Sequence, residues 1–229
     1  SNTNAQEQKG KVQFLTGYET DVYTKQYYRD FNILSGGLGY KGNLTALYGK
    51  VNLAYLYVDA DGVLTETKNK TQFEVDWWQS FSKSKSTSFW LNYAYSQHTI
   101  FQEHRVIFEM WQKLPAQFLI SGGGSYYMFS EKDATILNAG IENYFGRYWA
   151  EFKTYFYLKE PKVTTSYYLS GRVFFKEVNY LQLTVGAGSA EDEPFILESD
   201  MDRLYAYTAR VRYVTRTLFN ERIELLTGF

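Results

Sequence analysis

Counting back from Phe229, every second residue of the last stretch gives Thr227, Leu225 and Ile223, then, past Glu221, Phe219, Thr217, Thr215, Tyr213, Val211, Ala209, Tyr207 and Tyr205. Between them stand Arg210, Arg212, Arg216, Arg222 and Glu224. A period of two that sorts uncharged side chains from ions is the pattern of a strand with one face in an apolar medium. The same parity holds from Tyr205 to Phe229 with Glu221 as its one ion, so Arg203 to Phe229 reads as one long strand that ends on an aromatic residue.

The same alternation recurs upstream. The uncharged sets are Leu47, Val51, Leu53, Tyr55, Tyr57; Phe73, Val75, Trp77, Phe81; Phe89, Leu91, Tyr93, Tyr95; and Val106, Phe108, Met110. They continue with Leu137, Ala139, Ile141, Phe145; Tyr148, Ala150, Phe152, Phe156, Leu158; Tyr167, Leu169, Val173, Phe175; and Leu181, Leu183, Val185, Ala187. The interleaved positions carry Lys50, Glu74, Asp76, Arg105, Glu109, Glu142, Glu151, Lys153, Arg172, Arg210 and Arg212. A soluble β-sandwich or lipocalin-like barrel also alternates, with its apolar face inside and its ions in water. The density of aromatics at strand ends favours the inverse arrangement, in which the uncharged face meets lipid and the eleven ions line a lumen.

Composition agrees. Aromatics form 19% of the chain, with 22 Tyr, and only 3 Pro interrupt it, as a chain of paired strands requires. A mean hydropathy of -0.41 and the lack of a long apolar run exclude a helical membrane protein but not a barrel, whose strands show lipid only alternate residues. The net charge of -1 gives no reason to expect a nucleic-acid partner. The absence of Cys is compatible with the periplasm without requiring it.

Short connections at Lys41-Gly42-Asn43, Ser82 to Ser86, Leu114-Pro115-Ala116, Phe145-Gly146-Arg147 and Lys176-Glu177-Val178 alternate with longer polar stretches. The latter lie at Thr24 to Asp30, Asp59 to Lys70, Gln97 to Glu103, Ser130 to Asp133, Lys159 to Lys162 and Ser189 to Asp202. That asymmetry belongs to an all-β, transmembrane, antiparallel up-and-down β-barrel with periplasmic turns and outer loops. Twelve strands return both termini to one side. Residues 1–10 read as a segment left after signal cleavage or as a tag, and residues 11–229 as the outer-membrane β-barrel.

The run Tyr95-Ser96-Gln97-His98-Thr99-Ile100-Phe101-Gln102-Glu103-His104-Arg105, with Glu109 beyond it, resembles the YaiO family of outer-membrane barrels. Gly140-Ile141-Glu142-Asn143-Tyr144-Phe145-Gly146-Arg147-Tyr148-Trp149 and the Asn179-Tyr180-Leu181 to Gly188-Ser189 segment extend the resemblance. Gln102 stands where the family usually has Pro. The resemblance implies the outer membrane of a Gram-negative bacterium and a link to surface or exported polysaccharide. It brings no catalytic site.

The functional expectation is therefore a structural component or narrow conduit with a charge-lined lumen. The inward Trp78, Trp90, Trp149 and Tyr155 are candidates for stacking on sugars. The alternative is a rim enzyme, a hydrolase or acyltransferase acting on lipid or glycan, with Ser96, His98 and His104 as weak catalytic candidates because a rim His can serve as general base. Glu191-Asp192-Glu193 with Glu198, Asp200 and Asp202 has the oxygen ligands for calcium but not the order of a calcium loop, so it reads as a solvated charge run. No metal or cofactor is expected. The expected partners are outer-membrane lipid and lipopolysaccharide, the barrel assembly machinery that would read Phe229, and a polysaccharide or periplasmic partner.

Overall fold

Aromatic and β-branched residues in period two give strands almost throughout. They are β1 (Lys11–Val22), β2 (Tyr28–Lys41), β3 (Thr45–Ala60), β4 (Val63–Ser80), β5 (Thr87–Ser96), β6 (His104–Lys113), β7 (Phe118–Met128), β8 (Ala134–Phe145), β9 (Tyr148–Lys159), β10 (Lys162–Phe174), β11 (Tyr180–Gly188), β12 (Ala206–Arg216) and β13 (Arg222–Gly228). The structure, a computed structural model, describes residues 10–22, 28–60, 63–81, 84–97, 101–129, 133–159, 162–175, 179–188, 206–216 and 222–228. His98, Phe229 and the acidic run from Glu191 to Asp202 lie outside them. Each strand bonds the next in chain order, β1 through β13, and the ladders from β1 to β5 and from β8 to β13 are antiparallel. Among the described residues no ladder joins β13 back to β1.

Contacts divide the chain into two compact units. Of the described residues, the first holds those within 10–108 and 125–133, and the second those within 109–124, 134–188 and 206–228.

Three expectations change. Asp59 to Lys70 is not a loop: β3 and β4 stay paired out to Ala60↔Val63, past a register shift near Ala54 and Leu56. A polar stretch outside lipid needs no apolar face to keep its backbone ladder, so polarity there misleads. Lys159 likewise pairs with Lys162, so both ends of that stretch belong to the ladder. The end of the chain is a hairpin, because Ala206–Arg216 and Arg222–Gly228 pair from Arg210↔Gly228 to Arg216↔Arg222. The first twelve strands therefore form the up-and-down set, and a short thirteenth folds back on the twelfth.

Burial follows the alternation. Along β6, Arg105, Ile107 and Glu109 are 7%, 9% and 5% exposed, whereas Val106, Phe108 and Met110 are 39%, 43% and 45% exposed. The large apolar side chains are on the exposed face and the ions on the buried one, the reverse of a water-soluble sheet. None of the described ions from the eleven is fully exposed, and none of the described uncharged sets is buried. Ten residues in β5 and ten in β6 match the nine to eleven or so that a tilted strand needs to cross a bilayer.

On the exposed face of the first unit, Phe89 packs on Trp77 at 5.0 Å, on Phe81 at 5.6 Å and on Phe108 at 5.9 Å near the short-turn end. Tyr93, Tyr95 and His104 cluster near the other end, with His104 5.2 Å from Tyr95. Two aromatic groups bounding an aliphatic band match the two interfaces of a membrane.

Candidate functional site

Lys50 faces Glu74 across the β3–β4 ladder, and Asp76 faces Asn92 across β4–β5. Those registers place four potential hydrogen-bonding groups on one buried face before any side chain is considered. Lys50 Nζ then lies 2.9 Å from both Glu74 Oε1 and Asp76 Oδ2. Arg105 Nη2 approaches Glu74 Oε1 at 3.1 Å, and its Nε donates to Asn92 Oδ1 at 3.0 Å. Asn92 Nδ2 donates to Glu74 at 2.7 Å and to Asp76 at 2.9 Å, while Trp90 Nε1 donates to Asp76 at 2.8 Å.

The network extends through neutral amides. Ser35 Oγ donates to Asn52 Oδ1 at 2.8 Å, and Asn52 Nδ2 donates to Gln72 Oε1 at 3.1 Å and to Glu74 Oε2 at 2.9 Å. Gln72 Nε2 reaches the Oε1 of Gln102, a loop residue only 1% exposed. Two cations, Lys50 and Arg105, meet two anions, Glu74 and Asp76, so the buried cluster is neutral and every ion has a hydrogen-bonded partner. Such saturation offsets the cost of taking charges out of water.

In the second unit Lys153 Nζ pairs with Glu109 Oε1 at 2.5 Å. Arg105 and Glu109 thus find partners on other strands, as their spacing along β6 requires. Trp149 Nε1 donates to Glu142 Oε2, and Glu142 pairs in register with Glu151. Arg172 gives Nε and Nη2 to Gln182 Oε1 at 3.1 and 2.6 Å. Its guanidinium carbon sits 4.3 Å from the Trp149 ring centre and 4.1 Å from that of Tyr180, a cation held between two π faces. Arg210 and Arg212 on β12 stand opposite Thr184 and Gln182.

The enzyme candidates do not converge. Ser96 is 1% exposed on the buried face, where its Oγ donates to the Thr71 carbonyl at 2.7 Å. His104 occupies the other face, its Nδ1 2.9 Å from the Tyr93 hydroxyl. A nucleophile and its base must share a face, and these two do not. Of the proposed inward aromatics, Trp149 is 5% exposed, whereas Trp78 is 41% exposed and stacks on Trp90 at 5.3 Å.

Sequence reasoning found the ions but missed the amides. Asn52, Gln72 and Asn92 occupy the same alternate positions as Lys50, Glu74 and Asp76, and that shared phase was the available signal. The Gln102 amide, where a proline would supply no donor or acceptor side chain, joins the cluster.

Described residues that are almost all in strands, with aliphatic and aromatic side chains outward and ions on the buried face, have the make-up of a membrane β-barrel. The model of the YaiO membrane beta barrel domain matches residues 11–193, and the chain belongs to that family. No curated protein and no solved structure matches the chain.

Proposed function

We propose that this protein is an outer-membrane β-barrel of a Gram-negative bacterium, acting as a structural component or narrow conduit associated with surface or exported polysaccharide. Family membership supports the barrel and its membrane location. The observation that carries the word narrow is the Lys50–Glu74–Asp76–Arg105 cluster, whose groups are committed to one another and to Asn52 and Asn92. Ions lining a wide hydrated pore would stay solvated, whereas these lie 10% exposed or less on Glu74, Asp76 and Arg105. On this reading the eleven ions line the lumen, lipopolysaccharide surrounds the exposed face, and the barrel assembly machinery inserts the chain. A polysaccharide or periplasmic partner meets its ends.

The test is the current carried by the purified full chain in a planar bilayer, paired with surface glycan measured in cells that lack it. The expected result is a conductance near baseline, with surface glycan reduced on deletion and restored by the wild-type chain. A large steady open-channel current, or glycan unaffected by deletion, overturns the corresponding half of the proposal.

A further inference from the structure

We infer that the inner face of the second unit carries a saccharide-binding row across β8 to β11, suited to a sugar segment bearing hydroxyl and amine groups. This rests on the conduit reading above and names what the conduit would take. The ladders set Glu142 against Glu151, Glu151 against Ser170, and Ser170 against Thr184, so four polar side chains lie in one line across four strands. Ser170 Oγ and Thr184 Oγ1 are 2.9 Å apart. Trp149 and Arg172 pair one step nearer the short-turn end, and Tyr144, 38% exposed on the same face, pairs with Trp149 there. Planar polar groups beside aromatic rings suit a sugar, whose hydroxyl edge needs hydrogen bonds and whose C–H face packs on a ring.

The uncommitted groups decide which sugar. Arg172 is occupied by Gln182 and two rings, and Lys153 by Glu109. Among the described residues the Glu151 carboxylate forms no ion pair or hydrogen bond and feels Lys153 only at longer range. Asn138, 8% exposed and farther along the same face of β8, has an Oδ1 with no donor. One buried acceptor, Asn138 Oδ1, is thus left without a donor, and one half-buried carboxylate, Glu151, without an ion pair. Acceptors require a donor ligand, and a carboxylate favours ammonium over hydroxyl while repelling a uronic acid.

The test titrates the full chain, folded in detergent micelles, with hexamers of glucosamine, glucose and galacturonic acid, following tryptophan emission with Trp149→Phe as the reporter control. The glucosamine hexamer is expected to give a saturable response lost in the control, with Kd roughly tenfold lower than for the glucose hexamer. Galacturonate should give none. Glu151→Gln should bring the two Kd values within about twofold while the heat-modifiable fold is kept. Should that variant not fold, Ser170→Ala, expected to weaken both ligands, takes its place. Equal or tighter galacturonate binding, no saturable response, or an amine preference unchanged in Glu151→Gln overturns the inference, as does unchanged affinity in Ser170→Ala where it is used. Binding without hexamer uptake into proteoliposomes contradicts the conduit and leaves the row standing. Uptake without binding contradicts the row alone.

Discussion

Glu109 lies on β6 and Lys153 on β9, with two strands, β7 and β8, between them, yet their charged atoms are 2.5 Å from each other. In a flat sheet, three inter-strand steps of about 4.8 Å would separate the backbones by roughly 14 Å. The pair therefore spans an arched face, and what lies beneath it must be small. Gly140 is opposite Lys153 in the ladder, and a Cβ there would meet Ser121 Oγ at 2.7 Å and the Lys153 stem at 3.4 Å. Gly140→Val should accordingly lower stability by about 1–3 kcal/mol, read as a shifted urea midpoint for the refolded barrel. Glu109→Gln should cost about 3–5 kcal/mol by leaving the ammonium of Lys153 without its anion. The double variant Glu109→Leu, Lys153→Leu should recover part of that loss, and equal stability of single variant and wild type would contradict the pairing. The phase of the sequence told that Glu109 and Lys153 share a face. It could not tell that they touch, because the partner of an inward ion depends on register and curvature over several strands.

Whether a hairpin is legible depends on the parity of its pairing. Phe145 pairs with Tyr148, an odd position with an even one, so the exposed residues switch from odd to even across the Gly146 turn, where φ is +65°. The sequence displays that switch, and β8 and β9 separate cleanly. In the last hairpin Val211 pairs with Thr227 and Tyr213 with Leu225, odd with odd. The phase passes through such a turn unchanged, which is why Arg203 to Phe229 reads as one strand. At the β3–β4 hairpin the obstacle was polarity: a ladder above the bilayer is held by backbone bonds, whereas the hydropathy of its residues reports the solvent around it. Its outer rungs should be dispensable for folding. Replacing residues 58–65 with Asn-Gly would close the hairpin between Tyr57 and Glu66, which already pair. Heat-modifiable folding in outer membranes should be unchanged, and loss of it would show that the distal rungs contribute to assembly.

Across the molecule, one alternation serves two media. The exposed positions present an apolar band with aromatic groups toward its ends, and the buried positions hold ions, of which Lys50, Glu74, Asp76 and Arg105 neutralise one another in the first unit and Lys153 pairs with Glu109 in the second. A slip of one residue would exchange the faces, carrying Glu74, Glu109 and Lys153 into hydrocarbon at a cost of several kcal/mol each. The alternation is thus enforced at every strand. The chain has no Cys, so single cysteines carrying a nitroxide can be introduced one at a time without background labelling. Scanning positions 72–77, 105–110 and 150–155 in proteoliposomes, by spin relaxation with oxygen from the lipid and a nickel chelate from water, tests the arrangement most directly. The account predicts oxygen access with a period of two, high at Phe73, Val75, Phe108 and Phe152 and low at Glu74, Asp76, Glu109 and Lys153. Oxygen access in the opposite phase, or none with a period of two, would contradict it.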